Sequence, residues 1–143
     1  MDAHVDISTD KSRLDLDVIH GFLQTSYWAK GRARSVIERA IQNSLCFGVY
    51  VEGRQVAFAR VVSDRAVFAY LMDVFVLPEF RGRGISKRLM RVILAHPELQ
   101  NLRVFLLATA DAHGLYSQFG FEPLTEPERW MAIYDATSDT RAT

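Results

Sequence analysis

The stretch of chain between residues 45 and 77 constrains the fold more than any other part of the sequence. It holds three segments rich in β-branched and aromatic residues, separated by short turn signals at Glu52-Gly53 and Ser63-Asp64-Arg65. The three segments are residues 45–51, 56–62 and 66–77. Segments of this composition, joined by such short turns, pair as an antiparallel meander. The third is apolar on both faces, as expected for a central strand that is covered on both sides.

Helical periodicity surrounds this meander. Two amphipathic segments, 14–23 and 36–41, precede it and predict two helices. A third helix follows Gly84 and stops before Pro97, because proline cannot continue a helix. The apolar segment 102–108 comes next and predicts a strand that runs parallel to the third meander strand, since a helix connects the two.

The last part of the chain predicts a short helix over 112–119 and two final strands, at Phe121 and at 130–134. The complete order is then β-α-α-β-β-β-α-β-α-β-β. The sequence therefore predicts an α/β (α+β) fold, with a mixed, mostly antiparallel sheet and helices on both faces. It contains no internal repeat, and we expect one domain over residues 1–135 and a frayed polar tail over 136–143.

Charge and composition narrow the classes of function. Seventeen basic residues balance seventeen acidic ones, so the whole surface does not attract nucleic acid or an anionic membrane. No apolar run approaches the ~20 residues that span a bilayer, and we see no secretory signal. The single cysteine, Cys46, lies in an apolar strand segment and fits a reducing compartment. We expect a cytoplasmic protein that needs no metal to fold and binds neither nucleic acid nor membrane.

A glycine-rich turn between the third meander strand and the next helix carries the main functional signal. Gly82 and Gly84 allow the backbone to turn tightly and to present successive N–H groups to a ligand. The following helix adds unpaired N–H groups and the positive end of its dipole, and Arg81, Arg83 and Lys87 add positive charge. The turn therefore suits a diphosphate. The alternative is an ordinary strand-to-helix turn with a solvated basic face.

Two other phosphate-binding loops do not fit this turn. A P-loop requires a lysine directly after its last glycine and before a serine or threonine, whereas Lys87 lies between Ser86 and Arg88. The dinucleotide-binding fingerprint would place its third glycine at Lys87, and it belongs on the first strand of a parallel sheet.

Two motifs together resemble those of the GCN5-related N-acetyltransferases (GNAT). Residues 76–86, Val-Leu-Pro-Glu-Phe-Arg-Gly-Arg-Gly-Ile-Ser, match the family's acetyl-CoA signature, Q/R-x-x-G-x-G/A after a strand that ends V-x-P. The match departs at Ser86, whose hydroxyl either crowds the diphosphate or donates an extra hydrogen bond to it. Residues 115–121, Leu-Tyr-Ser-Gln-Phe-Gly-Phe, match the second signature, L-Y-x-x-x-G-F. The resemblance covers roughly residues 4–135.

This resemblance implies acetyl-CoA as the co-substrate, bound mainly by main-chain groups. The two central strands would splay apart so that the pantetheine arm inserts between them like a strand. Asp111 would either hydrogen-bond the pantetheine or simply cap the short helix. The cofactor-binding residues implied are Val74, Phe75, Val76, Arg81, Gly82, Arg83, Gly84, Ile85, Ser86, Lys87, Asp111 and Tyr116.

The resemblance also implies catalytic roles. Tyr116 occupies the position from which family members protonate the leaving CoA thiolate, and the Val76 N–H would polarise the thioester carbonyl. Asp73 is the one charged residue in the central strand, and it is either the general base or a structural acceptor for backbone N–H groups. Asp111 and His113 are further candidates for the base.

The loop between the first two helices predicts the acceptor side. Tyr27 and Trp28, together with Lys30, Arg32 and Arg34, favour a small acceptor that carries an amine and a carboxylate, with Asp73 nearby. The alternative is that Trp28 packs over the core and the cations are solvated. A protein N-terminus or lysine as acceptor, a non-catalytic acyl-CoA sensor and a nucleic-acid binder are the competing functions. Family members are often dimers, so a homodimer is also possible.

Overall fold

A computed structural model describes residues 4–140 as one mixed sheet with helices on both faces. Its strands are β1 (Val5–Ser8), β2 (Leu45–Val51), β3 (Arg54–Ser63), β4 (Phe68–Val76) and β5 (Val104–Leu107). Its helices are α1 (Leu16–Leu23), α2 (Arg34–Gln42), α3 (Ile85–Ala95) and α4 (His113–Ser117). Short 3-10 turns lie at Lys11–Arg13, Pro78–Phe80, Pro97–Leu99, Pro127–Arg129 and Ser138–Thr140.

The strands stand in the sheet in chain order, β1-β2-β3-β4-β5. β1 to β4 are antiparallel neighbours, and β5 pairs parallel to β4, which confirms the predicted meander and the mixed sheet. The parallel pairing ends at Leu71 and Leu107, although β4 continues to Val76. The last part of β4 therefore has an open side where β5 has left it, as expected for splayed central strands.

Two apolar cores cover the two faces of the sheet. On one face, α3 packs Leu89, Met90 and Ile93 against the strands. On the other face, α1 and α2 bury Ile19 and Ile37 together with Cys46 and Phe58. Because Cys46 is buried there, desolvation raises the pKa of its thiol to about 11. The burial agrees with the position of Cys46 in an apolar strand segment.

A β-bulge at Asp73 changes the side-chain alternation of β4. Asp73 has a positive φ of 54°, and the pairing with β3 shifts register between Phe58 and Arg60. Leu71, before the bulge, packs in the α3 core, whereas Phe75, after it, packs in the α1–α2 core. The bulge therefore turns the side chain of Asp73 toward the α1–α2 side of the sheet, at the point where β4 opens.

The prediction of two C-terminal strands, at Phe121 and at 130–134, is wrong. Phe121 and residues 130–134 lie in irregular backbone, and β5 has no second neighbour among residues 4–140. The apolar composition of 130–134 favours a strand, but a strand forms only where another strand supplies hydrogen-bond partners. The tail also differs from expectation at Asp139, whose backbone carbonyl accepts a hydrogen bond from the Ala33 N–H at 2.7 Å.

No helix within residues 4–140 is long and apolar enough to cross a membrane. The same part of the chain contains no group of three or more histidine, cysteine or acidic residues arranged to hold a metal ion.

Candidate active site

A cleft opens where β4 and β5 part, and the predicted site residues other than Asp73, Arg83 and Lys87 line it. Its volume is about 380 Å³, within the range of small-molecule sites. The α1–α2 loop, the end of β4, the glycine turn and α4 form its walls. The lining includes Phe22, Tyr27, Trp28, Val74, Phe75, Val76, Phe80, Arg81, Gly82, Gly84, Ile85, Ser86, Asp111, Ala112, Leu115 and Tyr116.

The open edge of β4 presents backbone groups to this cleft. The Leu77 N–H donates to the Val56 carbonyl at 2.8 Å, so Leu77 faces β3. Backbone groups of successive residues in a strand face opposite neighbours, and the groups of Val74 and Val76 therefore point away from β3. In agreement, the carbonyl of Val76 accepts a hydrogen bond from the Arg81 side chain, Nε to O 3.1 Å. The Val74 and Val76 main chain is thus positioned to pair with an inserted ligand.

The glycine turn leaves a row of backbone donors without internal partners. Arg81 is an exception, because its N–H already donates to the Pro78 carbonyl at 3.2 Å. Within residues 4–140, no protein group accepts from the N–H groups of residues 82–87, which end in the first turn of α3. The row of free N–H groups therefore begins at Gly82, one residue later than the expected 81–87.

Glycine is required at the two turn positions by the backbone conformation and not by a lack of room for a side chain. Gly82 and Gly84 have φ of 77° and 75°, in the left-handed region that side chains disfavour. A Cβ at either position would meet no atom within 4 Å. Arg83 lies over the Phe80 ring at 4.9 Å, so its cation is held beside the turn.

Tyr116 projects from α4 into the cleft and is 8% exposed. Burial, and then the nearby Tyr27 and Asp111 side chains, raise the pKa of its phenol. Its hydroxyl has no hydrogen-bond partner among the described residues. The phenol therefore stays protonated at neutral pH and is free to donate to a ligand.

Tyr27 and Trp28 form the wall opposite the glycine turn. The Tyr27 hydroxyl accepts a hydrogen bond from the Ala110 N–H at 3.1 Å, which ties the α1–α2 loop to the loop before α4. The two rings meet edge to face at 5.1 Å. The Trp28 Nε1–H donates to the Asp73 carboxylate at 3.1 Å. The sequence placed both aromatics on the acceptor side, and the structure places them in the cleft.

Asp73 lies at the centre of a buried polar network. Arg60 Nε donates to one carboxylate oxygen at 2.9 Å, and Arg32 donates to both oxygens at 3.1 and 3.2 Å. Trp28 completes the set, so the donors are side chains and not the backbone N–H groups expected from sequence. Sequence reasoning missed Arg60, although a single charge inside an apolar strand segment was a usable signal, as it was for Asp73.

The other predicted residues divide between the cleft and the protein interior. Asp111 is exposed and lines the cleft, but the capping alternative is wrong, because Ala112 is the N-cap and Thr109 Oγ1 accepts from its N–H at 3.0 Å. Arg32 and Arg34 are already paired with protein carboxylates, so neither is available for an acceptor carboxylate. His113 is exposed and lines a different depression, beside β5.

Comparison with known proteins agrees with this geometry. Residues 42–123 match the family model described as an acetyltransferase (GNAT) domain. A protein of Gibberella zeae named as an acetyltransferase is 28% identical, over 84% of this chain and 80% of that protein.

Solved structures show the same fold. A crystal structure of a protein assigned to the GNAT family, from Xanthomonas campestris pv. campestris, superposes with a TM-score of 0.93 at 55% identity, over 96% of this chain and 98% of that one. A Clostridium acetobutylicum protein crystallised with acetyl-CoA shares the fold at 12% identity, with a TM-score of 0.68 over 92% of this chain and 96% of that one. The sequence motifs, the fold and the family model lead to one conclusion: this chain belongs to the GNAT family of acetyltransferases.

Proposed function

We propose that this protein transfers an acetyl group from acetyl-CoA to the primary amine of a small molecule, by direct attack in a ternary complex. One observation carries the proposal. The cleft brings together the unpartnered N–H groups of residues 82–87, the open β4 edge at Val74 and Val76, and the unpartnered phenol of Tyr116.

Each of these features suits a different part of acetyl-CoA. The N–H groups of residues 82–87 and the positive end of the α3 dipole suit the diphosphate. Ser86, at the start of α3, adds a hydroxyl donor there. The open edge at Val74 and Val76 suits the amides of the pantetheine arm, which would pair with it as an added strand. The Clostridium relative, solved with acetyl-CoA, supports this choice of co-substrate.

The residues around the open edge supply the chemistry of acyl transfer. The neutral amine attacks the thioester carbonyl carbon, and the Val76 N–H stabilises the negative charge that develops on the oxygen. When the C–S bond breaks, the Tyr116 phenol donates its proton to the departing thiolate. The proton lost by the attacking nitrogen leaves through solvent and restores the phenol.

Asp73 has a positioning role in this proposal. Its two oxygens are occupied by Arg60, Arg32 and Trp28, which leaves no free site for direct proton transfer. It instead holds the indole of Trp28 against the cleft. Among the residues that line the cleft, Asp111 is the carboxylate exposed to a bound amine, and it can accept the proton through water.

The walls of the cleft favour a small acceptor. Tyr27 and Trp28 provide flat apolar surfaces, and the volume of about 380 Å³ is too small for a folded partner. Because Arg32 and Arg34 are engaged within the protein, an acceptor carboxylate would have to find another partner, so the amine and its apolar neighbours are the recognised part.

The test is the Tyr116→Phe variant, with Tyr70→Phe as the matched control on β4 outside the cleft. We expect Tyr116→Phe to lower kcat by about tenfold or more, because the leaving thiolate loses its proton donor. Release of free CoA is measured against a panel of amines, and CoA affinity is measured by calorimetry. Equal turnover in the two variants would refute the role of Tyr116. CoA binding without turnover on any amine would favour a non-catalytic sensor.

A further inference from the structure

A chain of hydrogen bonds joins the C-terminal segment to the wall of the cleft. The Asp139 carboxylate accepts from Arg32 Nε at 3.0 Å, and Arg32 Nη1 donates to the two oxygens of Asp73 at 3.1 and 3.2 Å. The Asp73 oxygen that lies 3.1 Å from Arg32 also accepts from Trp28 Nε1–H at 3.1 Å. Hydrogen bonds therefore lead without a break from Asp139 to an indole that lines the cleft.

Arg32 connects the two carboxylates through different atoms of one rigid group. Its Nε faces Asp139 and its Nη1 faces Asp73. Because a guanidinium is planar and its donors have a fixed geometry, a partner on each side fixes its orientation. Burial opposes the charge of Arg32, but Asp73 and Asp139 outweigh burial and raise the pKa of its guanidinium. Arg32 therefore stays charged between its two partners.

Asp139 also completes the charge balance of this network. Arg60 and Arg32 carry two positive charges, whereas Asp73 carries a single negative charge. Asp139 supplies the second negative charge, and its side chain is itself two-thirds covered. Buried charges are stable only when they are paired, so loss of Asp139 would leave one positive charge in excess beside the cleft.

The backbone of Asp139 holds the same part of the chain. Its carbonyl accepts from the N–H of Ala33, the N-cap of α2, at 2.7 Å. Asp139 thus contacts two consecutive residues at the end of the connection between α1 and α2. Residues 24–33 of this connection have no helix or strand, and they carry Tyr27 and Trp28. Without regular structure, the position of these rings depends on side-chain contacts such as those of Asp73 and Arg32.

We propose that Arg32 and Asp139 are positioning residues, which fix the indole of Trp28 and thereby set the affinity for the acceptor amine and not the affinity for CoA. The inference rests on the proposed function in one respect, namely that the Trp28 wall receives the acceptor. The network reaches the cleft through Trp28, whereas the groups proposed to bind CoA are the N–H groups of residues 82–87 and the main chain of Val74 and Val76.

The first experiment reports on Trp28 directly and needs no substrate. Trp28 and Trp130 are the two tryptophans of the chain, so a Trp130→Phe background leaves the fluorescence of Trp28 alone. We expect Asp139→Ala in that background to raise the Stern–Volmer constant for quenching by acrylamide by about half or more, because the indole is held less firmly. An unchanged constant, in a variant that circular dichroism shows to be folded, overturns the proposal.

Asp17→Ala is the matched control. It also removes a carboxylate that pairs with an arginine at the end of the α1–α2 connection, because Asp17 accepts from Arg34 Nη1 at 2.7 Å. That pair is exposed and does not lead to Asp73, so we expect quenching of Trp28 to stay as in the Trp130→Phe background. Equal increases in Asp17→Ala and Asp139→Ala would overturn the specific role of the network.

The second experiment separates the two substrates by steady-state kinetics, with an amine that supports release of CoA. We expect Asp139→Ala to raise the KM for the amine about fivefold, while kcat and the dissociation constant for CoA change less than about twofold. A carboxylate that only stabilised the fold would leave the KM of the folded enzyme unchanged. An unchanged KM, or an equal rise in the dissociation constant for CoA, overturns the proposal.

A double-mutant cycle tests whether the effect passes through the indole. In a Trp28→Phe background the hydrogen bond to Asp73 is already lost, so Asp139→Ala should raise the KM for the amine by less than about twofold further. Effects of the two substitutions that simply multiply would overturn the route through Trp28.

The two proposals fail in different ways. If no amine supports turnover, the proposed acetyl transfer fails, and the quenching measurement still decides whether Asp139 positions Trp28. If amines are acetylated and quenching is the same with and without Asp139, the positioning role alone is overturned.

Discussion

The cleft differs from the second depression, which β5 and α4 line, in the chemical groups that it presents. The cleft presents backbone N–H groups at the glycine turn, an open strand edge and a buried ionic network around Asp73. The depression beside β5 presents mainly apolar side chains. Tyr116 reaches both. The same sheet therefore presents main-chain polar groups in the cleft and apolar side chains in the depression beside β5.

The largest expected effect is the loss of stability when the buried carboxylate of Asp73 is removed. Asp73→Ala removes the carboxylate that neutralises two guanidinium groups, and Arg60 is itself buried. We expect the free energy of unfolding to fall by about 3–5 kcal/mol, because the buried Arg60 loses its carboxylate partner, whereas Arg32 keeps Asp139. Asp6→Ala, which breaks the exposed Arg13–Asp6 pair, should cost about 1 kcal/mol or less. Urea unfolding measures both, and equal losses would contradict the importance given to the buried network.

A smaller effect tests whether the cleft binds its ligand through the main chain. Gly84→Val places a branched side chain at a φ of 75° and distorts the row of N–H donors. We expect the dissociation constant for CoA, measured by calorimetry, to rise about tenfold or more, equivalent to about 1.4 kcal/mol. The control is Gly21→Val, since Gly21 also has no atom within 4 Å of its would-be Cβ but lies within α1. Unchanged CoA affinity in Gly84→Val would contradict the proposal that the N–H groups of residues 82–87 bind CoA.

The smallest effect concerns Tyr116, which lines both the cleft and the depression beside β5. Its pKa is raised by burial above the ordinary value of 10.0 in the folded protein. As the pH rises through 10, the unfolded chain therefore loses its proton first, and the free energy of unfolding falls. Tyr116→Phe should show a shallower fall between pH 9 and pH 11 in urea unfolding than the parent protein. Parallel curves would indicate that the phenol is no harder to ionise in the folded state.

The features that the sequence predicted well are those that nearby residues decide. Turn signals such as Glu52-Gly53 predicted the meander, because a short turn forces its flanking strands to pair. Gly82 and Gly84 predicted the turn before α3, because their positive φ is a property of the residue type. The sequence also predicted a short helix over 112–119, and α4 forms within that range at His113–Ser117.

The features that the sequence predicted poorly depend on residues far apart in the chain. Asp73 stood out as a buried charge, but its partners Arg60 and Arg32 come from another strand and a distant loop. The two final strands failed for a similar reason, because residues 130–134 have strand composition but no neighbouring strand in the described chain. Asp111 resembled a helix cap, yet the N-cap of α4 is Ala112 and no side chain caps that helix.

The sequence by itself determined the order of strands and helices as far as α4, and the glycine turn before α3, because local backbone preferences and apolar periodicity are encoded residue by residue. Only the tertiary structure decided that β4 and β5 part after Leu71, that a bulge turns Asp73 toward Arg60, and that residues 130–134 stay unpaired. These outcomes depend on strand register and on which groups meet across the sheet. They are non-local contacts, which local sequence patterns do not specify.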